Sequence, residues 1–165
     1  MSLIEMKLNS AIIIGAGTGT TTTWLSTIVH NLTCKPDAYQ RLASEIRDTF
    51  TNGNELTSDS VTQLSYLAAV LQESLRMHSP SPSSLGRFVP EGGGVINGRF
   101  VPTGVTVGVH QYAAYHLASN FHHPDDFCPE RWLPPARDEK PPFAGDRPEV
   151  VQLFSYGPRT CLGIK

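Results

Sequence analysis

The chain has 165 residues, 39% hydrophobic and 17% charged, enough for one globular domain with a buried core. Its net charge is −2 and its basic residues are scattered rather than striped, which argues against a nucleic-acid partner. Three cysteines, Cys34, Cys128 and Cys161, leave an odd one in any disulfide scheme and share no metal-ligand spacing, so a reducing, intracellular setting fits.

Leu3 to Thr33 reads mostly as helix. The part from Ala11 to Val29 is long enough to tempt a membrane assignment, but its threonines and glycines fit a buried helix better. No signal peptide is visible. Ile12-Ile-Ile-Gly15-Ala16-Gly17-Thr18-Gly19-Thr20 admits a rival reading, a strand running into a Gly-x-Gly turn that cradles a dinucleotide pyrophosphate. Against it, the third glycine of that pattern falls on Thr20, and the next segment is helical where a second strand should end in an acid.

Lys35-Pro36-Asp37 breaks the first helix and opens a second, with Pro36 suited to the first turn. Tyr39, Leu42, Ala43, Ile46 and Phe50 follow its i, i+3, i+4 apolar pattern. Thr51-Asn-Gly-Asn is a turn, and Thr57-Ser-Asp opens the next helical region. From Val61 to Met77 the apolar stripe is Leu64, Leu67, Val70, Leu71 and Leu75. At about 100° per residue, Glu73 and Arg76 lie roughly 60° apart on the far side of that stripe. By itself such a pair is a solvated salt bridge worth about 0.3–0.5 kcal/mol.

After His78-Ser-Pro-Ser-Pro the character changes to short strands: Gly86-Arg-Phe-Val, Gly94-Val-Ile, Arg99-Phe-Val and Val105-Thr-Val-Gly-Val. Asn97-Gly98 is a hairpin signal, and Pro102-Thr-Gly104 is a second turn. Arg87 on its own is an exposed strand arginine. His122-His123 before Pro124 reads as a polar turn without zinc spacing, and Pro129-Glu130-Arg131-Trp132 as an aromatic-capped turn. Pro134 to Pro148 lacks periodicity and reads as an irregular surface meander. No internal repeat is present.

The last segment is the most specific: Phe154-Ser-Tyr-Gly157-Pro-Arg159-Thr-Cys161-Leu-Gly163. A cysteine in a glycine-flanked loop, with a cation two residues before it, suits a thiolate bound to a metal, because the cation and backbone N–H groups stabilise the negative sulfur. Gly157 and Gly163 let the backbone approach a flat group, and Phe154 would shield the sulfur from water. An inert buried thiol is the plain alternative for a single loop cysteine.

Taken together, Phe-x-x-Gly-x-Arg-x-Cys-x-Gly at 154–163, Glu73-x-x-Arg76 and Pro129-Glu-Arg131-Trp, in this order, resemble the cytochrome P-450 family over essentially the whole chain. The resemblance implies that Cys161 is the axial ligand of a haem (iron protoporphyrin IX) iron, that Arg159 partners a haem propionate, and that Arg87 is a second propionate-binding arginine. It implies that Glu73, Arg76 and Arg131 form a structural, non-catalytic triad beneath the haem-binding loop. Ala11 to Leu25 resembles the family's long central helix on the distal face of the haem. There Ala16 and Gly17 leave space over the iron, and Thr20 is the alcohol that guides proton delivery. The family's acid position is Gly19 here, so the acid half of the usual acid–alcohol pair is missing. Ser81 to Gly86 matches a loop that lines the substrate pocket.

The implied fold is mainly α with a small β region, the C-terminal portion of the cytochrome P-450 fold. Residues 1–165 make one partial domain: a helical part at about 3–78, a β-rich part at about 85–109, and the meander and haem-binding loop at about 120–165. The implied reaction inserts one oxygen atom of dioxygen into an unactivated C–H bond of a small apolar molecule, with electrons from NADPH through a reductase partner. Phe127-Cys-Pro-Glu-Arg-Trp-Leu and Val95-Ile-Asn-Gly look like fungal secondary-metabolite members. Full-length relatives are anchored in the endoplasmic-reticulum membrane, and this chain shows no anchor. The resemblance begins at the central helix and stops four residues after Cys161. The expectation is therefore a truncated, inactive fragment whose apolar central helix largely faces water.

Overall fold

The computed structural model describes residues 1–134 and 142–164. Its helical part comprises α1 (Leu3–Cys34), α2 (Pro36–Thr49), α3 (Ser58–Val61) and α4 (Ser65–Met77). A capping box starts α1: the Ser2 hydroxyl accepts the Glu5 N–H at 3.2 Å, and the Glu5 carboxylate accepts the Ser2 N–H at 2.6 Å. The continuous helix through Gly15, Ala16 and Gly17 excludes the strand-to-turn reading of the dinucleotide alternative. No helix among the described residues is long and apolar enough to cross a membrane.

The burial that the composition of Ala11 to Val29 suggests is corrected, and the helix largely faces water, as expected from the resemblance. Every residue from Met1 to Thr23 is exposed, and Ile12, Ile13 and Ile14 are 64–67% accessible. The physical reason is that α1 docks only through its last third. Trp24, Thr27, Ile28, Asn31 and Leu32 turn inward, and Trp24 Nε1 donates to the Leu71 carbonyl at 3.4 Å. Nothing among the described residues covers the earlier turns.

Pro36 occupies the first turn of α2 and Asp37 adds an acid there, both favourable at a helix N-terminus. The face turned to the core runs through Ala38, Leu42 and Ile46 at four-residue intervals, so Tyr39, expected in the apolar stripe, is exposed instead. Ala38, Leu42, Tyr66, Val70 and Phe127 form the core. Helix α4 lacks a cap of its own, since Leu64 precedes it. The Glu45 carboxylate from α2 supplies one by accepting the Tyr66 N–H at 2.7 Å and the Leu67 N–H at 2.9 Å.

Glu73 and Arg76 correct the picture of a solvated far side. Both are fully buried, because α1 and α2 cover one side of α4 and the segment from Phe121 to Trp132 covers the other.

The β-rich part holds two small antiparallel pairs. Strand β1 (Arg87–Phe88) pairs with β4 (Thr106–Val107), with Arg87 opposite Val107. Strand β2 (Gly94–Ile96) pairs with β3 (Arg99–Val101), with Val95 opposite Phe100. The β2–β3 turn places Asn97 at φ 48° and Gly98 at φ 76°, the left-handed pair that a tight hairpin needs. A short helix, α5 (Gln111–Tyr115), follows and was not evident from periodicity. Of the expected meander, residues 135–141 lie outside the described residues. The described part contains two single 3₁₀ turns, Phe143–Gly145 and Pro148–Val150.

Candidate functional site

The structure brings Glu73, Arg76 and Arg131 into one buried cluster. Glu73 Oε1 accepts from Arg76 Nη2 at 2.8 Å, Arg131 Nε at 3.0 Å and the Cys128 N–H at 3.0 Å. Glu73 Oε2 accepts from Arg76 Nε at 2.9 Å and Trp132 Nε1 at 2.8 Å. Arg76 thus grips the carboxylate with two parallel bonds, geometry a lysine cannot reproduce. Its Nη1 also donates to the Tyr115 and Pro124 carbonyls, each at 2.7 Å. Arg131 donates onward to the Asp146 carboxylate through Nη1 and to the His122 carbonyl at 3.0 Å through Nη2.

Two carboxylates therefore balance two guanidiniums in a space closed to water. The Phe121 ring lies 5.1 Å from the Arg76 guanidinium carbon and 5.7 Å from that of Arg131, a cation–π contact for each. Burial alone would depress the Arg131 pKa, but the nearby Glu73 and Asp146 charges hold it above its ordinary value. Burial and the Glu73 charge push the Cys128 thiol up, against a smaller downward pull from Arg131. Sequence reasoning missed Trp132, Asp146 and the Cys128 N–H. Trp132 is adjacent to the recognised Arg131, but nothing local signals Asp146.

The Cys161 loop closes on its own backbone. The Cys161 N–H donates to the Phe154 carbonyl at 2.8 Å, and the Thr160 hydroxyl donates to the Gly157 carbonyl at 2.7 Å. Ser155 at φ 62° and Gly157 at φ 75° make the reversal, and a Cβ on Gly157 would meet nothing within 4 Å. Cys161 is exposed and unpaired, and its sulfur accepts the Gly163 N–H at 3.4 Å. Phe154 is 38% accessible beside it. Arg87 reaches this loop from β1, with Nη2 donating to Ser155 Oγ at 3.2 Å. Arg159 makes no side-chain hydrogen bond or ion pair among the described residues, so its charge is available to an anion.

On α1, the backbone around Ala16 and Gly17 is open, with nothing within 4 Å of a Cβ on Gly15, Gly17 or Gly19. Thr20 donates its hydroxyl proton to the Ala16 carbonyl at 2.7 Å, which leaves the oxygen as an acceptor. Among the described residues no three His, Cys, Asp or Glu side chains form a metal-holding group. An accessible thiol with a backbone N–H on its sulfur and two arginines at the same loop fit a metal-bearing group with anionic edges.

The cytochrome P450 family model matches residues 1–165. Averantin hydroxylase of Dothistroma septosporum is 44% identical over 163 residues, covering 99% of this chain and 30% of that protein. Cytochrome P450 monooxygenase astJ of Aspergillus oryzae is 42% identical over 163 residues, 99% of this chain and 32% of that protein. Cytochrome P450 monooxygenase traB of Penicillium crustosum is 43% identical over 159 residues, 96% of this chain and 31% of that protein. The chain spans about a third of the length of the curated relatives it matches.

Proposed function

Since this chain belongs to the cytochrome P450 family, we propose that its protein is a haem-thiolate monooxygenase that places one oxygen atom of dioxygen on a small apolar organic molecule. The observation that carries the reading is the Cys161 loop: an accessible sulfur with a backbone N–H donated to it, in a loop whose own hydrogen bonds fix its path. Haem, when bound, supplies the redox chemistry that activates dioxygen.

The chain's residues have separable tasks in this account. Cys161 would hold the iron as a thiolate, and Phe154 would shield the sulfur from water. Arg159, uncommitted among the described residues, binds a propionate, and Arg87 binds another while tied to Ser155. Gly157 and Gly163 keep the backbone close to the disc. Ala16 and Gly17, with no bulky side chain, would leave room for dioxygen and substrate. Thr20 Oγ1 would accept a hydrogen bond from a water, since its own hydroxyl donates to the Ala16 carbonyl. With glycine at position 19 no carboxylate precedes Thr20, so protons reach it through water or through a substrate hydroxyl. Glu73, Arg76 and Arg131 are structural: their buried, mutually satisfied charges leave no group open to a substrate.

Electrons come from NADPH through a reductase partner. Relatives named for hydroxylating averantin support a small organic substrate. Three unpaired cysteines fit a reducing compartment. The test is the carbon-monoxide difference spectrum of the reduced, haem-loaded protein. The expected result is the red-shifted band of a thiolate-ligated haem. A Soret band without that shift contradicts the assignment of the ligand, and no Soret band at all contradicts the haem reading.

A further inference from the structure

Helix α5 is five residues long, yet its i, i+4 pair grips both backbone groups of one residue far along the chain. Tyr115 Oη accepts the Gln152 N–H at 3.0 Å, and Gln111 Nε2 donates to the Gln152 carbonyl at 3.4 Å. Both side chains are buried. Each is also fixed from behind. The Tyr115 carbonyl accepts from Arg76 Nη1 at 2.7 Å, and Gln111 Oε1 accepts from the Ser79 hydroxyl at 3.4 Å, which turns the amide nitrogen toward Gln152. Burial raises the Tyr115 pKa, so the phenol stays neutral.

Gln152 stands two residues before Phe154, where the Cys161 loop begins. Its carbonyl also accepts the Ser155 N–H at 3.1 Å, and the Phe154 carbonyl accepts the Cys161 N–H at 2.8 Å. An unbroken line of hydrogen bonds and short chain links therefore runs from the buried charged cluster, through Tyr115 and Gln152, to the backbone of Cys161. The geometry points to Gln111 and Tyr115 as positioning residues that clamp Gln152 and so fix where the Cys161 loop leaves the core. This role rests on the reading of Cys161 as the haem ligand.

Two near-isosteric variants test it in the full chain. Tyr115→Phe keeps the ring and removes the acceptor, and Gln111→Glu keeps the shape and removes the donor. Hydrogen exchange is followed by mass spectrometry over 152–161 and over 66–76. In each variant, exchange over 152–161 should rise about fivefold, the effect of one lost net hydrogen bond, while 66–76 keeps its protection. Unchanged exchange over 152–161 with 66–76 still protected overturns the clamp. If Tyr115→Phe loosens 66–76 as well, Gln111→Glu decides by the same criterion. Loosening of 66–76 by both variants also overturns it, because the effect is then not local to the loop. The carbon-monoxide spectrum of the same haem-loaded samples separates the two claims. No thiolate band from the unsubstituted chain defeats the reading of Cys161 as the haem ligand, whatever the exchange shows. A normal band with no exchange response defeats the clamp alone.

Discussion

Arg131 lies 58 residues beyond Glu73 in sequence, and its Nε donates to Glu73 Oε1 at 3.0 Å with both side chains shut away from water. A buried pair of this kind is costly to break, because removing one partner strands the other's charge. Glu73→Ala leaves both Arg76 and Arg131 short of their shared carboxylate. It should cost about 3–5 kcal/mol, enough to unfold many domains outright. Urea unfolding followed by circular dichroism measures this. A loss below about 1 kcal/mol would put the pair in the class of exposed salt bridges.

The trans cap on α4 makes a second, smaller prediction. Glu45 is a side chain of α2 that satisfies the first N–H groups of α4, and its negative charge faces the positive end of that helix. Glu45→Ala should cost about 1–2 kcal/mol, and Glu45→Gln, which keeps an acceptor without the charge, should cost less. Amide exchange at Tyr66 and Leu67 should accelerate in both variants, more in the alanine. Equal exchange in all three proteins would mean that the cap contributes nothing.

What the sequence allowed to be read, and what it concealed, divides along local and long-range interactions. The breaks at Pro36 and the Asn97-Gly98 turn are set by residues within a few positions, and the helices and hairpin around them follow from local rules. The i, i+3 spacing of Glu73 and Arg76 was enough to bring the two to one side of α4. It could not show that this side is buried, because the covering residues Phe121, Arg131 and Trp132 come about 50 positions later and arrive through irregular chain. Asp146 and Gln152 were invisible for the same reason: an acid or an amide in a proline-rich segment has no periodic signature. Helix α5 is too short to show a period. The exposure of α1 is the opposite case. Its apolar content signals burial, but no described residue reaches its first six turns to provide it.

The three thiols should separate by reactivity. Burial raises the Cys128 pKa, so at pH 8 a smaller fraction of it is thiolate, and its sulfur is also partly covered. Cys34 and Cys161 are exposed. Iodoacetamide at pH 8, read by peptide mass spectrometry, should label Cys34 and Cys161 well before Cys128. Raising the pH should speed Cys128 labelling, since its thiolate fraction is still growing. Labelling of Cys128 first would contradict its placement beside Glu73.

Two glycines should respond to alanine in opposite directions. Gly19 sits inside α1 with open space at its Cβ position, so Gly19→Ala should stabilise the helix by about 1 kcal/mol. Gly157 stands at φ 75° in the Cys161 loop, where an L side chain is strained, so Gly157→Ala should cost about 1–2 kcal/mol locally. Helicity by circular dichroism reports the first change, and amide exchange at Thr160 and Cys161 reports the second. Loss of helicity in Gly19→Ala, or an unmoved loop in Gly157→Ala, would count against these backbone assignments.

The central claim is that Cys161 is the sulfur that holds the iron, and the carbon-monoxide difference spectrum of three single cysteine-to-serine variants tests it most directly. Cys34→Ser and Cys128→Ser should retain the red-shifted thiolate band of the reduced, haem-loaded protein, and Cys161→Ser alone should lose it. A thiolate band that survives Cys161→Ser, or disappears in either of the other two variants instead, would contradict the account.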